Sequence, residues 1–405
     1  MMYTQNLEGC DNGNNNTAIL HTFLKSKALD EFRSAYQNGN LAPLSLVEQT
    51  EDIELYKIAA NRFAGFDDIL ILGTGGSSLG GQAFCALSPQ EKPRLHFLDN
   101  IDPHTFASLF QKLDLEKVGF LAISKSGSTV ETLLQLLTCM QHIQGKDLAD
   151  RFIVITEPTV NPLRTLAETQ GWLCLDHPET VGGRYSCFSV VGLLPAILAG
   201  LDPYAFRDGA RAVLHQHLND DSPPALQGAV MAVYLEKYHK KTLSVMLPYA
   251  DQLSLFSRWY CQLWAESLGK DGKGTTPIHA LGTVDQHSQL QLYLDGPKDK
   301  FFTIITSSWK GKGDRINLAF IPEFTGKSMG DLFAAEQKAT YETLIRHKCP
   351  TRLITLDHIN EYNLGALMMH FMIETILTSL LICVNAFDQP AVEEGKRLAR
   401  EYLAA

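Results

Sequence analysis

Two hydroxyl- and glycine-rich stretches of the chain have the residue types that hold phosphate. Gly-Thr-Gly-Gly-Ser-Ser-Leu-Gly fills positions 73–80 directly after the apolar run Ile69-Leu70-Ile71-Leu72, and Ser124-Lys125-Ser126-Gly127-Ser128-Thr129 follows the apolar run 118–123. A buried strand that runs through a glycine-rich turn into a helix points unpaired N–H groups, and the positive end of a helix, at one spot that suits an anion. The second stretch adds four hydroxyls and one ammonium within six residues. Both stretches precede helix-length segments, 82–87 and 130–141, so two such turns on neighbouring strands would close around one phosphate. Either turn alone is also what tight strand-to-helix packing produces; the pair is what points to a ligand.

Nucleotides fit these turns poorly. A dinucleotide fingerprint needs its third glycine at position 78, which is Ser78, although the strand-like 95–98 does end at Asp99, where a ribose-binding acid would lie. Residues 269–276, Gly-Lys-Asp-Gly-Lys-Gly-Thr-Thr, lack the lysine followed by Ser or Thr at the spacing of a nucleotide P-loop. Hydroxyl-rich turns with one lysine match a compact terminal phosphate, as on a sugar phosphate. Four further segments carry ionisable groups. They are Gly182-Gly183-Arg184-Tyr185-Ser186 in a glycine turn, Gln262 with Glu266 one helical turn apart on one face, Gln286-His287 in a loop-like stretch, and 389–396 with Gln389 and Lys396 at the opening of a C-terminal helix. Taken singly, Arg184 reads as a surface or salt-bridge residue and Glu266 as a solvated one.

The elements that must position these groups follow from periodicity. Apolar strands near 69–72, 95–98, 118–123 and 152–156 alternate with helix-length segments, which implies a parallel sheet in an α/β protein. A second α/β unit begins after the turn signal Asp220-Asp221-Ser222-Pro223-Pro224, with strands at 243–247, 301–305 and 352–356 and helices at 226–239, 251–268, 328–347 and 361–384. The expected division is an N-terminal arm and lead-in helix (1–50), a first domain (51–220), a second domain (221–388) and a C-terminal helix (389–405). Residues 5–16 are polar and read as a loose lead-in. The run 364–384 is apolar enough for a membrane span, but His370 and Glu374 in its middle make it a buried core helix. With 405 residues, 45% hydrophobic, the chain can bury a sizeable core, and a net charge of -10 argues against nucleic acid as the main partner. Eight cysteines without a Cys-x-x-Cys pair, and an N-terminus without the basic flank and apolar core of a signal peptide, suit reduced thiols in the cytoplasm and no metal cluster.

Together the segments resemble the glucose-6-phosphate isomerase family, in family order from about residue 55 to 400. Gly73 to Ser77, including Gly76, is similar to its Gly-Ile-Gly-Gly-Ser turn, and Ser124-Lys125 through Thr129 and Glu131 to its Ser-Lys-Thr-x-x-Thr-x-Glu loop. Residues 182–186, with Gly183, resemble Gly-Gly-Arg-[Phe/Tyr]-Ser; 266–270 resembles Glu-Ser-Asn-Gly-Lys; Gln286-His287 and the Gln389…Gly395-Lys396 spacing also match. The resemblance implies two sugar-isomerase domains, each a parallel sheet wrapped by helices, with the C-terminal helix folded back over the site. It implies an aldose–ketose isomerisation of glucose 6-phosphate and fructose 6-phosphate without a cofactor or metal. In it Glu266 is the base, Arg184 the cation beside the enediolate, and His287 and Lys396 the ring-opening pair. Ser77, Ser124, Lys125, Ser126 and Thr129 hold the phosphate, with Gln262, Gln389 and Glu131 as positioning groups. It further implies a homodimer in which His287 reaches the partner's site. Departures are Ser77-Ser78 where many members have Ser-Asp, and Ser-Gly-Ser-Thr where many have Thr-x-Thr-Thr. These resemble relatives that also accept mannose 6-phosphate, so dual specificity stays open, as does a non-catalytic phosphosugar-binding regulator, which would have no use for Glu266, Arg184, His287 and Lys396.

Overall fold

The computed structural model describes residues 2–10, 27–143 and 148–404. Their strands are β1 (Tyr3–Asn6), β2 (Asp68–Leu72), β3 (Arg94–Leu98), β4 (Val118–Ile123), β5 (Phe152–Thr156), β6 (Leu173–Asp176), β7 (Leu243–Pro248), β8 (Thr276–His279), β9 (Lys300–Thr306) and β10 (Thr351–Leu356). One sheet has the order β3-β2-β4-β5-β6, all parallel. Its three inner strands are buried along their whole length, because helices cover both faces, and this is why they read as unbroken apolar runs. The order reverses at β2: β3 lies on one side and β4 on the other, which opens a crevice beyond the carboxyl ends of β2 and β4. The register Leu72↔Ala122 delivers both hydroxyl-rich turns to that crevice.

The other sheet has the order β1-β10-β9-β7-β8, parallel except for β1, which runs antiparallel to β10 at the edge. The expected loose lead-in is thus corrected in part. Gln5 and Asn6 are strand residues, and Gln5 Nε2 also donates to the carbonyl of Pro224 at 2.8 Å. Residues 11–16 of that expectation lie outside the described residues. The N-terminal helix Ala28–Gln37 buries Ala28, Leu29 and Phe32 in the same apolar core as the helices of the second sheet.

The helix Glu361–Ile382 is long and apolar enough to cross a membrane by length and composition, and it is the central core helix. Helix Pro203–Asn219 packs against it at backbone distance: a Cβ on Gly209 would fall 1.8 Å from the carbonyl oxygen of Tyr362, and one on Gly365 1.8 Å from that of Phe206. His370 and Glu374, the two polar residues expected to keep this helix out of lipid, are both buried. Glu374 accepts from Arg352 of β10 at 2.6 Å and lies 3.0 Å from His370 Nε2, while Tyr3 of β1 lies 2.7 Å from His370 Nδ1. This polar chain ties the N-terminal strand to the core through Glu374 Oε2, which meets both Arg352 and His370, while Glu374 Oε1 has no hydrogen-bond partner among the described residues.

Candidate active site

The turn after β2 is a 3-10 turn, Gly75–Ser77, running into the helix Leu79–Cys85. Ser78, where many members of the resembling family carry Asp, is fully buried. Its hydroxyl accepts from Gln82 Nε2 at 2.8 Å, and Gln82 also donates to Asp99 at 2.8 Å. Asp99 is therefore engaged with the helix that follows the first turn. Ser77 stays in the turn beside Gly73. Gly76 is backed directly by Gly183: a Cβ on Gly76 would lie 2.2 Å from the Gly183 carbonyl carbon, so no side chain fits there. Ser186 donates to the Gly76 carbonyl at 3.2 Å and to that of Gly183 at 2.7 Å, locking the two segments together.

In the turn after β4, buried Ser124 donates to Thr129 Oγ1 at 3.0 Å. Thr129 precedes the helix Val130–His142 and makes no side-chain cap, so the first N–H groups of that helix stay open toward the turn. The Ser126 and Ser128 hydroxyls lie 3.1 Å apart beside them. Lys125 donates to the carbonyl of Glu179 at 2.7 Å and lies 3.5 Å from the Glu157 carboxylate, which fixes its ammonium at the rim of the turn. Glu131 sits partly buried in the first turn of the helix.

The third component comes from the other sheet's helices. Helix Ser254–Leu268 carries Gln262, Glu266 and Ser267. Glu266 Oε1 accepts from Gln262 Nε2 at 2.9 Å, and Oε2 accepts from Arg184 Nη1 at 3.2 Å. Gln262 Nε2 also lies 3.0 Å from where a Cβ on Gly75 would stand, so the amide packs directly against the first turn. Arg184 is 3% exposed. It donates through Nε to Ser267 Oγ at 2.9 Å and through Nη2 to the carbonyls of Ala386 and Asp388 at 2.6 and 3.1 Å. A guanidinium cannot lose its proton at working pH, so this is a fixed cation touching a carboxylate that is itself 30% exposed to the crevice. The pair can accept a proton and stabilise an oxyanion next to it. Tyr185, bonded to Ser267 at 2.9 Å, is buried, and burial pushes its phenol up. Cys187, next but one along the same segment, is buried against Met372 at 3.9 Å, with its thiol likewise pushed up by burial.

Gly76, Ser77, Gly183, Arg184, Gln262 and Glu266 thus come together beside the Ser124–Thr129 turn, while three predicted residues do not join them. His287 lies on a short helix, Val284–Ser288, where a loop-like stretch was expected. Its side chain is exposed, and the helix is anchored by Gln286, which accepts from Tyr249 at 2.7 Å. Gln389 is exposed, and Lys396 donates to Glu393 at 2.8 Å one turn earlier. The C-terminal helix expected to close over the site is Glu393–Ala404, which is exposed along almost its whole length in the single chain. Its charged side chains pair along the helix, and Tyr402 and Leu403 are about three-quarters exposed. Sequence reasoning did not single out Ser267, Lys270 or the carbonyls of Ala386 and Asp388. Ser267 and Lys270 lie inside the 266–270 motif and were legible there; the carbonyls carry no signal in residue type.

A model of the phosphoglucose isomerase family matches residues 15–404. The chain belongs to the phosphoglucose isomerase family. A relative named probable glucose-6-phosphate isomerase, from Methanococcus maripaludis, is 35% identical over 93% of this chain and 87% of its own. Among solved structures, a hypothetical protein from Thermus thermophilus superposes with a TM-score of 0.92 at 32% identity, covering all of both chains. A glucose-6-phosphate isomerase from Chlamydia trachomatis shares the fold, with a TM-score of 0.81 at 21% identity over all of this chain and 88% of that one. As a fold, the two-sheet architecture of this phosphoglucose isomerase family member is also shared with a tagatose-6-phosphate ketose/aldose isomerase from Escherichia coli, at a TM-score of 0.56 and 15% identity.

Proposed function

We propose that the protein interconverts glucose 6-phosphate and fructose 6-phosphate by proton transfer through a cis-enediolate, a step of glycolysis and gluconeogenesis. The observation that carries this reading is the Glu266 carboxylate held against the buried Arg184 guanidinium at the mouth of two phosphate-type turns. In the open-chain aldose, Glu266 takes the C2 proton and returns it to C1, while a proton moves from O2 to O1. A single carboxylate serves both transfers. Arg184 offsets the negative charge that develops on the enediolate oxygens, and a preorganised cation in a half-buried site does so without reorganising. Gln262 orients the carboxylate. Ser77, Ser124, Lys125, Ser126, Thr129 and the open N-terminus of the helix Val130–His142 receive the phosphate, and Glu131 and Gln389 position the sugar.

Ring opening needs a donor at the ring oxygen and an acceptor at the anomeric hydroxyl, and His287 and Lys396 take these roles. Both are exposed in the single chain, as are Val392, Tyr402 and Leu403 in the C-terminal segment. This supports a homodimer in which His287 completes the site of the partner. Cys85, Cys139, Cys174, Cys187, Cys261, Cys349 and Cys383 are free thiols, in keeping with a reducing cytoplasm. The test is a coupled assay of purified protein with fructose 6-phosphate, reading glucose 6-phosphate, with mannose 6-phosphate offered in parallel. Turnover of fructose 6-phosphate is the expected result, and its absence overturns the proposal. Equal turnover of mannose 6-phosphate would widen the substrate class to both C2 epimers.

A further inference from the structure

The segment 385–388 is an irregular turn between the core helix and Gln389, and it touches the proposed reaction centre through backbone alone. Arginine has five N–H groups. Four of those on Arg184 are engaged: one on Ser267 Oγ, one on Glu266, and two on the carbonyls of Ala386 and Asp388. The fifth belongs to Nη1, the nitrogen that already holds Glu266, and it is the one left for a substrate oxygen. Its direction is fixed by the plane of the guanidinium, and half of the bonds that fix that plane come from this turn.

The turn is itself held from outside. Helix Ser254–Leu268 ends two residues before Lys270, and Lys270 and Lys273 face each other across a tight turn in which Asp271 and Gly272 take positive φ. From there Lys270 Nζ donates to the Ser267 carbonyl at 3.0 Å and to the Asn385 carbonyl, and it lies 3.1 Å from the Asp388 carboxylate. The ammonium therefore bridges the end of the helix that carries Glu266 to both ends of the turn that grips Arg184. Inside the turn, Asn385 donates to the Asp388 carboxylate at 3.0 Å and accepts from the Phe387 N–H at 2.9 Å. Lys270 also holds the Asp388 carboxyl below the usual carboxylate range. Lys273 makes a different contact, with the carbonyl of Ile382 at the C-terminus of the core helix, where a cation is favoured by the helix dipole.

We infer that Lys270 is a positioning residue for the isomerisation. By clamping residues 385–388 to the helix of Glu266 it sets the plane of the Arg184 guanidinium against the reacting oxygens. This rests on the proposed isomerase reading, and it adds a residue that touches no substrate.

The experiment compares wild type, Lys270→Met, Lys270→Arg and Lys273→Met, with fructose 6-phosphate as the substrate and hydrogen exchange of the Phe387 amide as a readout that needs no turnover. Lys270→Met is expected to lower kcat by about tenfold or more, the order of one charge-assisted contact, with KM changed by less than about threefold and faster Phe387 exchange. Lys270→Arg is expected to restore most of kcat and of the protection, because a guanidinium also reaches several acceptors. Three results overturn the inference: an unchanged kcat in Lys270→Met, unchanged Phe387 exchange, or an equal loss of kcat in Lys273→Met, which would mark a general loosening. If wild type shows no turnover, the isomerase reading falls and takes the catalytic role of Lys270 with it. The exchange data then decide the clamp by themselves.

Discussion

Glu266→Gln separates the chemistry from the binding. The substitution keeps the outline of the side chain and an oxygen that can accept from Arg184 Nη1. It also places an NH₂ group opposite the Gln262 amide, which now donates to Glu266 Oε1. Gln262 can rotate its amide to meet this, because its Oε1 is buried with no hydrogen-bond partner among the described residues. The rotated oxygen would accept from the new amide, so the local packing survives. What is lost is the ion pair at 3.2 Å and the proton acceptor. Glu266 is 30% exposed while Arg184 is buried, and the glutamine oxygen still accepts from Arg184, so the stability cost is that of weakening one charge-assisted hydrogen bond, about 1–2 kcal/mol. Loss of a positioned general base costs roughly 10²- to 10⁴-fold, or about 3–5 kcal/mol in the barrier.

Turnover should therefore fall by roughly two orders of magnitude or more, while the thermal midpoint shifts little and KM stays near its wild-type value, as for an interaction made only in the transition state. The decisive assay incubates fructose 6-phosphate and enzyme in D₂O and follows both isomerisation and deuterium entry into the sugar carbon. In Glu266→Gln both should vanish together. A variant that turns over at near wild-type rate, or that still washes deuterium in, would refute the assignment of the base, and Glu131 in the first turn of the helix Val130–His142 would be the next residue to test.

Other outcomes follow from the same geometry. Gly76→Ala should disrupt the crevice, because its Cβ meets the Gly183 backbone at 2.2 Å; soluble, folded protein with wild-type kcat/KM would contradict that packing. Glu374→Ala should cost about 3–5 kcal/mol in urea unfolding, since it strands the buried Arg352; a loss under about 1 kcal/mol would mean that solvent reaches the pair. His217 accepts from the Ala225 N–H at 3.0 Å through Nε2 while Nδ1 faces the Val213 carbonyl at 2.7 Å, an arrangement that requires the neutral ring, and burial pushes its pKa down to about 3. Between its ordinary value of 6.5 and about 3 the unfolded chain binds the extra proton, so stability should fall as pH falls across that window. The loss is about 1.4 kcal/mol per pH unit, and His217→Asn should flatten that slope; an unchanged slope would count against the buried neutral ring. Iodoacetamide should label Cys383, which is exposed, well before Cys187, and labelling of Cys187 at the same rate in native protein would show that its pocket opens.

What was legible in the sequence was what local chemistry decides. The inner strands β2, β4 and β5 stood out as unbroken apolar runs because both their faces are covered, and the turns that follow β2 and β4 announced themselves through glycine and hydroxyl residues. Of the four edge strands only β3 was legible, at 95–98. β1, β6 and β8 are four residues each, β8 contains Pro277, and none is buried along its length, so none has to be apolar. The same division runs through the site. Arg184 and Glu266 were found by type and spacing, but the partners of Arg184 at 386 and 388 are backbone carbonyls some two hundred residues away, and a carbonyl belongs to every residue.

The predicted residues that stand apart in the single chain are informative for the same reason. His287 and Lys396 have the side chains for ring opening, yet both side chains are exposed in the single chain. By contrast, Arg184 is buried by segments of its own chain from three separate stretches, at 183–188, 266–270 and 385–388. A cation that must hold one orientation through a proton transfer gains from such burial, since the surrounding acceptors are fixed in advance. Groups that open a ring and then release it need access, and a site built partly from the chain's own core and partly from an exposed helix presented to a second copy meets both needs. On this reading, dilution to folded monomer should abolish ring-closed turnover while leaving the Arg184–Glu266 arrangement intact. Monomer with full activity toward the cyclic sugar would show that one chain supplies the whole site.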